Sequence, residues 1–329
     1  MSFSAENPKV NKAKRFRVQQ RISNTGSEIS QMCHRELFVS QANVFGGFQK
    51  PFEKADYVVL GVPFDVTSTY RTGARFGPAA IRQASANIET CSLRSGIDVE
   101  DLHLHDLGDL HVASDTEKTL RMLQLVTEDT VNAGKTCVTI GGEHTITLGI
   151  ARGLESMATE TAIISFDAHL DLRNEFLGLK VSHTTFMRRI SEKVKPARII
   201  EVGTRAVCKE ELSYADKAGI EFFTAQQIRR DGSERIVDQL KRRVANYKYT
   251  YLSVDMDILD PAYVPAVQNP EADGLEMHTL LDILNVVCDD RVLGFDVVEV
   301  APNYDQGISA IQAAKVIFEV LCQIEKSRA

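Results

Sequence analysis

From Tyr57 onward, short apolar runs alternate with longer stretches in which apolar positions recur every three or four residues. The apolar runs predict strands at Tyr57 to Pro63, Thr136 to Gly142, Ala162 to His169, Arg198 to Thr204, Tyr249 to Asp257 and Val292 to Val300. The periodic stretches predict helices at Thr116 to Ala133, Ser233 to Ala245, Thr279 to Val287 and Ile308 to Leu321. Strands that read as continuous Val/Ile/Leu runs, separated by helices, imply a mainly parallel sheet covered on both faces. The expected fold class is therefore α/β, a three-layer α/β/α sandwich. Sites in such sheets lie at the carboxyl ends of the strands.

Polar residues follow several of these strands. Glu143 and His144 come after one, Asp167, His169 and Asp171 after the next, then Asp255 and Asp257, and finally Glu299. Continued extension would point Asp167, His169 and Asp171 the same way, and likewise Asp255 and Asp257. Gly141 and Gly142 are expected to let the backbone turn so that His144 enters the cleft. Capping a helix needs one Asp, not a D-x-H-x-D pattern. Carboxylates gathered at one edge repel unless a cation sits among them. A set of four carboxylates and two imidazoles suits Mn²⁺ or Mg²⁺ better than structural zinc, and it offers enough ligands for two ions. Two ions sharing a water would bring its pKa toward neutrality. Asp260, before Pro261, reads as a turn residue.

Composition narrows the function classes. The 329 residues carry a net charge of −7, which argues against a basic nucleic-acid surface. No apolar run approaches the ~18 residues of a membrane span. The six cysteines stand singly, without a CxxC pair, and read as reduced thiols in a cytoplasmic protein. Cys137 and Cys288 lie in apolar runs and read as core. Residues 1–35 include a basic stretch with little periodicity, expected to be a flexible or subunit-contacting arm before a single catalytic domain over 36–329.

GGEH, SFDAHLD, SVDMDILDP and VVEVAP, in that order and spacing, resemble the ureohydrolase (arginase/agmatinase) family. Upstream, Gly61 to Ser85 is similar to an agmatinase-type stretch, and His105 to Asp109 to the family's next strand. The resemblance implies an arginase-like fold and two Mn²⁺ per subunit. By motif position, it implies that His144, Asp167, Asp171 and Asp255 hold the first ion. Asp167, His169, Asp255 and Asp257 would hold the second, with Asp167 and Asp255 bridging. His183, in VSHTTF, matches the family's proton-shuttling histidine. Glu299 matches the glutamate that grips the guanidinium, and Asp257 is placed to accept a proton or hold the intermediate. The implied reaction cleaves a small guanidino compound to urea and an amine, in a homo-oligomer (trimer or hexamer).

Asn174 to Phe186 lacks the Ser-Gly-Asn stretch with which arginases contact an amino-acid head. Agmatine, giving putrescine and urea, is therefore the expected substrate. A guanidino acid (guanidinobutyrate) or arginine is the alternative, and a catalytically silent regulatory relative is the alternative of another class. Three departures bear on substrate choice. Thr184 follows His183 where many agmatinases have Gly, Pro265 to Glu271 lacks the family's glycines, and Asn303 stands where a second Pro is frequent. Arg71 and Arg75 read as structural ion-pair residues, with Asp65 and Tyr70 near the substrate.

Overall fold

The computed structural model describes residues 43–329 together with His34 and residues 38–40. The basic arm expected over 1–35 lies almost entirely outside the described residues. The core is one nine-stranded sheet: β1 (Val39–Ser40), β2 (Tyr57–Val62), β3 (Leu104–Leu110), β4 (Thr136–Gly141), β5 (Thr161–Phe166), β6 (Arg198–Thr204), β7 (Glu221–Thr224), β8 (Tyr249–Asp255) and β9 (Val292–Val298). Their order is β1-β3-β2-β4-β9-β8-β5-β6-β7. Among the described residues eight strands run parallel, and β1 is antiparallel, on the edge beside β3.

Every residue of β2, β4 and β5 is buried, as both-face coverage requires. Alternate side chains serve different cores. Val59, Ile140 and Ile164 pack with α1 (Gly77–Ser85), α7 (Ser233–Val244), α8 (Met277–Val287) and α9 (Ile308–Arg328) on one face. Leu60, Ile163 and Ile199 pack with α2 (Thr116–Asn132), α3 (Ile146–Gly153), the single turn α4 (Phe186–Arg189) and α5 (Lys209–Ala218) on the other. The short α6 (Ala225–Asp231) follows β7. The result is the expected three-layer sandwich. Cys137 and Cys288 are buried. Among the described residues no helix is long and apolar enough to cross a membrane.

The strand order puts β4, β9, β8 and β5 side by side at the centre. β4, β9 and β5 precede His144, Glu299 and Asp167, and β8 ends on Asp255. The crossovers bring segments up to 155 residues apart in sequence to one edge, as the His144–Glu299 contact shows.

Candidate functional site

The carboxylates are anchored by one oxygen each. Asp167 Oδ1 accepts the His169 N–H (2.6 Å), Asp255 Oδ1 the Asp257 N–H (2.7 Å), Asp257 Oδ1 the Ala168 N–H (3.1 Å) and Glu299 Oε1 the His144 N–H (2.6 Å). The second oxygen of each Asp turns toward an imidazole. His144 Nδ1 lies 3.0 Å from Asp167 Oδ2, 3.1 Å from Asp255 Oδ2 and 3.7 Å from Asp171 Oδ2. His169 Nδ1 lies 3.0 Å from Asp257 Oδ2 and 3.4 Å from Asp167 Oδ1. His144, Asp167 and Asp255 form one group with ligand spacing, and Asp167, His169 and Asp257 form a second. Asp167 belongs to both.

The convergence does not come from strand alternation, which corrects the sequence expectation. β5 ends at Phe166, and the backbone has left the sheet before Asp171, whose φ is +50°. Likewise Asp255 is the last residue of β8, and Asp257 sits in a 3-10 turn. The acceptor oxygens pull these turns tight. Gly142 is needed for closeness rather than for a left-handed turn: a Cβ there would meet the Phe64 carbonyl oxygen at 1.9 Å. Glu299, by contrast, adopts φ +71°, a costly conformation for a residue with a Cβ.

Hydrogen-bond counting tests whether a cation fits. Ser253 Oγ donates its one proton to Asp296 Oδ1 (2.7 Å). It must therefore accept from His144 Nε2, 2.8 Å away. Asp296 is held in turn by Tyr251 (2.6 Å) and Thr147 (3.0 Å). A neutral His144 then carries its lone pair on Nδ1, aimed at Asp167 and Asp255. Nδ1 is buried without a hydrogen-bond partner, as is Glu299 Oε2. A lone pair facing carboxylates is repulsive unless a cation lies between them. In the bare protein, protons take that place. Burial disfavours the His144 cation, but the hydrogen bonds that its protonated ring donates to Asp167 and Asp255 outweigh it and raise its pKa well above the usual value. Burial, then the charge of Asp167, pushes Asp171 up. Burial, then Asp257, does the same to Asp255. The donor set fits divalent ions with oxygen-rich shells. On the far side, His169 Nε2 faces Glu271 Oε1 at 3.8 Å, a carboxylate–histidine arrangement of the kind that orients metal ligands.

The cluster opens into a cavity of about 510 Å³ lined by Thr69, His183, Arg173, Asn269, Glu271 and Glu299 among others. His183 therefore does reach the same chamber as the acidic cluster. Burial, followed by the positive charges of His169 and His144, pushes its pKa down to about 4. The group is thus folded as a neutral imidazole, and the unfolded chain binds the extra proton between its ordinary pKa of roughly 6.5 and about 4. His183 accordingly contributes stability that is present above about pH 6.5 and lost as pH falls toward 4. Between pH 7 and pH 5, His183→Gln is expected to lose about 2 kcal/mol less stability than the wild type. Urea denaturation of both proteins at the two pH values checks this, and equal losses would refute it.

Other expected residues are structural. Asp65 is buried and takes the Gly73 N–H (2.8 Å) and an ion pair with Arg75. Arg71 donates to the Pro265 carbonyl (2.9 Å) and stacks on Tyr304. Neither Asp65 nor Tyr70 lines the cavity. Asp260 holds its turn through the Ala262 and Gly274 N–H groups (2.9 and 3.0 Å). Gln268 is buried away from the chamber, whereas Asn269 and Glu271 face it. Arg205 belongs to no motif that marks it in the sequence. Its guanidinium donates to the carbonyls of Asp257 (2.6 Å), Glu271 (2.8 Å) and Ile258 (3.2 Å), tying together the loops that carry the cluster. Thr67 and Thr69, which the sequence spacing does not connect to His183, lie against its ring.

A family model described as "Arginase family" matches residues 55–322. The chain belongs to the arginase family. An N(1)-aminopropylagmatine ureohydrolase of Thermococcus kodakarensis is 36% identical over 81% of this chain and 90% of its own. An agmatinase of Bacillus anthracis is 31% identical, covering 82% and 92%. The crystal structure of the agmatine ureohydrolase of Thermoplasma volcanium superposes with a TM-score of 0.80 at 32% identity, covering 92% of this chain and 98% of that one. The reaction class of this family, hydrolysis of a guanidino compound, goes with the membership.

Proposed function

We propose that the chain hydrolyses agmatine to putrescine and urea at two Mn²⁺ ions. The observation that carries this reading is the pair of His/Asp groups sharing Asp167, set beside the unpartnered Oε2 of Glu299 in one chamber. His144, Asp167, Asp171 and Asp255 would hold one ion, and Asp167, His169, Asp255 and Asp257 the other. When bound, the ions acidify a water toward neutral pH, making a nucleophile available. Glu299 binds the planar guanidinium side by side through two N–H groups, which fixes the carbon for attack. Asp257 steadies the adduct by hydrogen bond. His183 carries a proton to the departing amine, a role suited to imidazole.

Two chamber residues bear on the substrate's tail. Glu271 offers a carboxylate to a distal cation such as agmatine's amine. Arg173, half-buried and stacked on Phe176, offers a cation to a carboxylate tail. Relatives named for agmatine favour the first. The test is urea release by manganese-loaded protein from agmatine, N1-aminopropylagmatine, arginine, guanidinobutyrate and guanidinopropionate. Agmatine is expected to give the highest kcat/KM, with about two Mn²⁺ per chain and no turnover after chelation. Preference for guanidinobutyrate would assign the tail to Arg173. Urea from none of them would overturn the reading, and absence of bound metal would favour the silent relative.

A further inference from the structure

His183 is 4% exposed, and both of its ring nitrogens are met by threonines of one loop, the stretch after β2. Nδ1 lies 3.3 Å from Thr67 Oγ1, and Nε2 lies 3.1 Å from Thr69 Oγ1. The His183 backbone N–H also donates to Thr67 Oγ1 (3.1 Å). Beneath Thr67 sits Glu143, fully buried. Glu143 accepts from the Thr67 hydroxyl (2.5 Å), the Thr67 N–H (2.8 Å) and the Thr145 hydroxyl (2.6 Å).

Donor counting sets the direction of this chain. Three donors converge on Glu143, so it acts as an acceptor and takes the single Thr67 hydroxyl proton. Thr67 Oγ1 then has only lone pairs for His183 and accepts from Nδ1–H. The neutral ring must carry its lone pair on Nε2, toward Thr69. Thr69 lines the chamber together with His183, so its hydroxyl, in contact with Nε2, also borders the space the substrate fills. The loop is held from the other side as well. The Gln268 amide donates to Ser68 Oγ and to the Arg71 carbonyl (2.9 Å), and Arg71 reaches back to the Pro265 carbonyl. Gln268 thus clips the threonine loop to the segment 265–271. A proton carrier works when its orientation and tautomer are fixed before the substrate arrives.

We propose that Thr67 is a positioning residue that fixes the tautomer of His183, and that Thr69 relays the proton between His183 and the departing amine. The relay rests on the ureohydrolase reading, and the tautomer clamp does not. The proton released as water adds to the guanidinium carbon passes to Nε2. Thr69 Oγ accepts it from Nε2–H and gives its own hydroxyl proton to the amine nitrogen. That nitrogen takes the electron pair of the breaking C–N bond. The freed amine then takes up the second proton of the added water from the product oxygen, so that it leaves as an ammonium beside neutral urea, and Thr69 and His183 return to their starting forms.

The experiment pairs isosteric and conservative variants on the manganese-loaded full chain. Thr69→Val is expected to lower kcat for agmatine by roughly 100-fold, the lower end of the range of proton-transfer effects, while KM stays within about twofold. Thr69→Ser is expected to recover kcat to within about threefold, again as general acid–base catalysis requires. Thr69→Val at the wild-type kcat, or a Ser variant as slow as the Val variant, overturns the relay. The clamp is read separately by ¹⁵N NMR of the histidine rings in metal-free protein, with His183→Gln assigning the signal. Wild type is expected to show the Nδ1–H tautomer, and Thr67→Val a mixture that Thr67→Ser restores. A tautomer unchanged in Thr67→Val overturns the clamp. If wild type releases urea from no guanidine, the reaction reading and the relay fall together, and the NMR result alone decides the clamp.

Discussion

Asp167→Asn is expected to lower urea release by at least about a thousandfold, equivalent to about 4 kcal/mol of lost transition-state stabilisation. Bound manganese should fall from about two per chain to below one. Asp167 is the residue common to both His/Asp groups, so the change touches both proposed ions at once. The amide keeps its Oδ1 as acceptor for the His169 N–H, which preserves the local turn. Its new N–H₂ replaces a charged oxygen that lies 3.0 Å from His144 Nδ1, so that ring loses one of its two close carboxylate partners. The metal-free variant is expected to melt lower than the metal-free wild type, because burial of the Asp167 carboxylate is outweighed by its hydrogen bonds with His144 and His169, which hold its pKa below the usual range and are weakened in the amide. Activity, metal content and thermal midpoint measured together separate this outcome from simple unfolding. A variant that keeps two ions and full turnover would remove Asp167 from the proposed ligand set.

The central strands were legible because they are apolar throughout. β2, β4, β5, β6, β8 and β9 each bury nearly every residue, and such runs stand out in any sequence. β7 was not legible: it is four residues at the sheet edge, with only Phe223 fully buried. β3 reads His-Asp-Leu-Gly-Asp, and its Asp106 is buried only because Arg82 meets both oxygens (2.8 and 2.9 Å). No local pattern announces that pairing. The acidic residues of the site were legible as a set, since buried carboxylates after apolar strands need a cation. How they converge was not. Alternation assumes a strand, and the chain leaves the strand at Phe166. Arg205, Thr67 and Thr69 act through partners tens to more than a hundred residues away, so single-sequence spacing carries no trace of them.

Glu299→Gln separates function from stability at this site. The Glu299 carboxyl is buried, with Oε1 on the His144 N–H and Oε2 unpartnered. Burial and then the charge of Asp255 raise its pKa well above the usual range. Its backbone also sits at φ +71°. Without a ligand, then, this carboxyl costs the fold stability, as groups kept for binding often do. A guanidinium would supply the missing partner and a compensating charge. Glutamine keeps the shape and the acceptor for His144 but presents no second charged oxygen to the substrate. The variant is expected to lose roughly 30- to 1000-fold in kcat/KM for agmatine, about 2–4 kcal/mol, the cost of losing one side of a desolvated charge pair. Its metal content should stay at about two ions, since Glu299 is not among the proposed ligands. Its metal-free thermal midpoint should equal or exceed that of wild type, because an unpaired buried carboxyl has been replaced by a neutral amide. A lower midpoint with unchanged kcat/KM would make Glu299 a structural residue, and the guanidinium would need another anchor in the chamber.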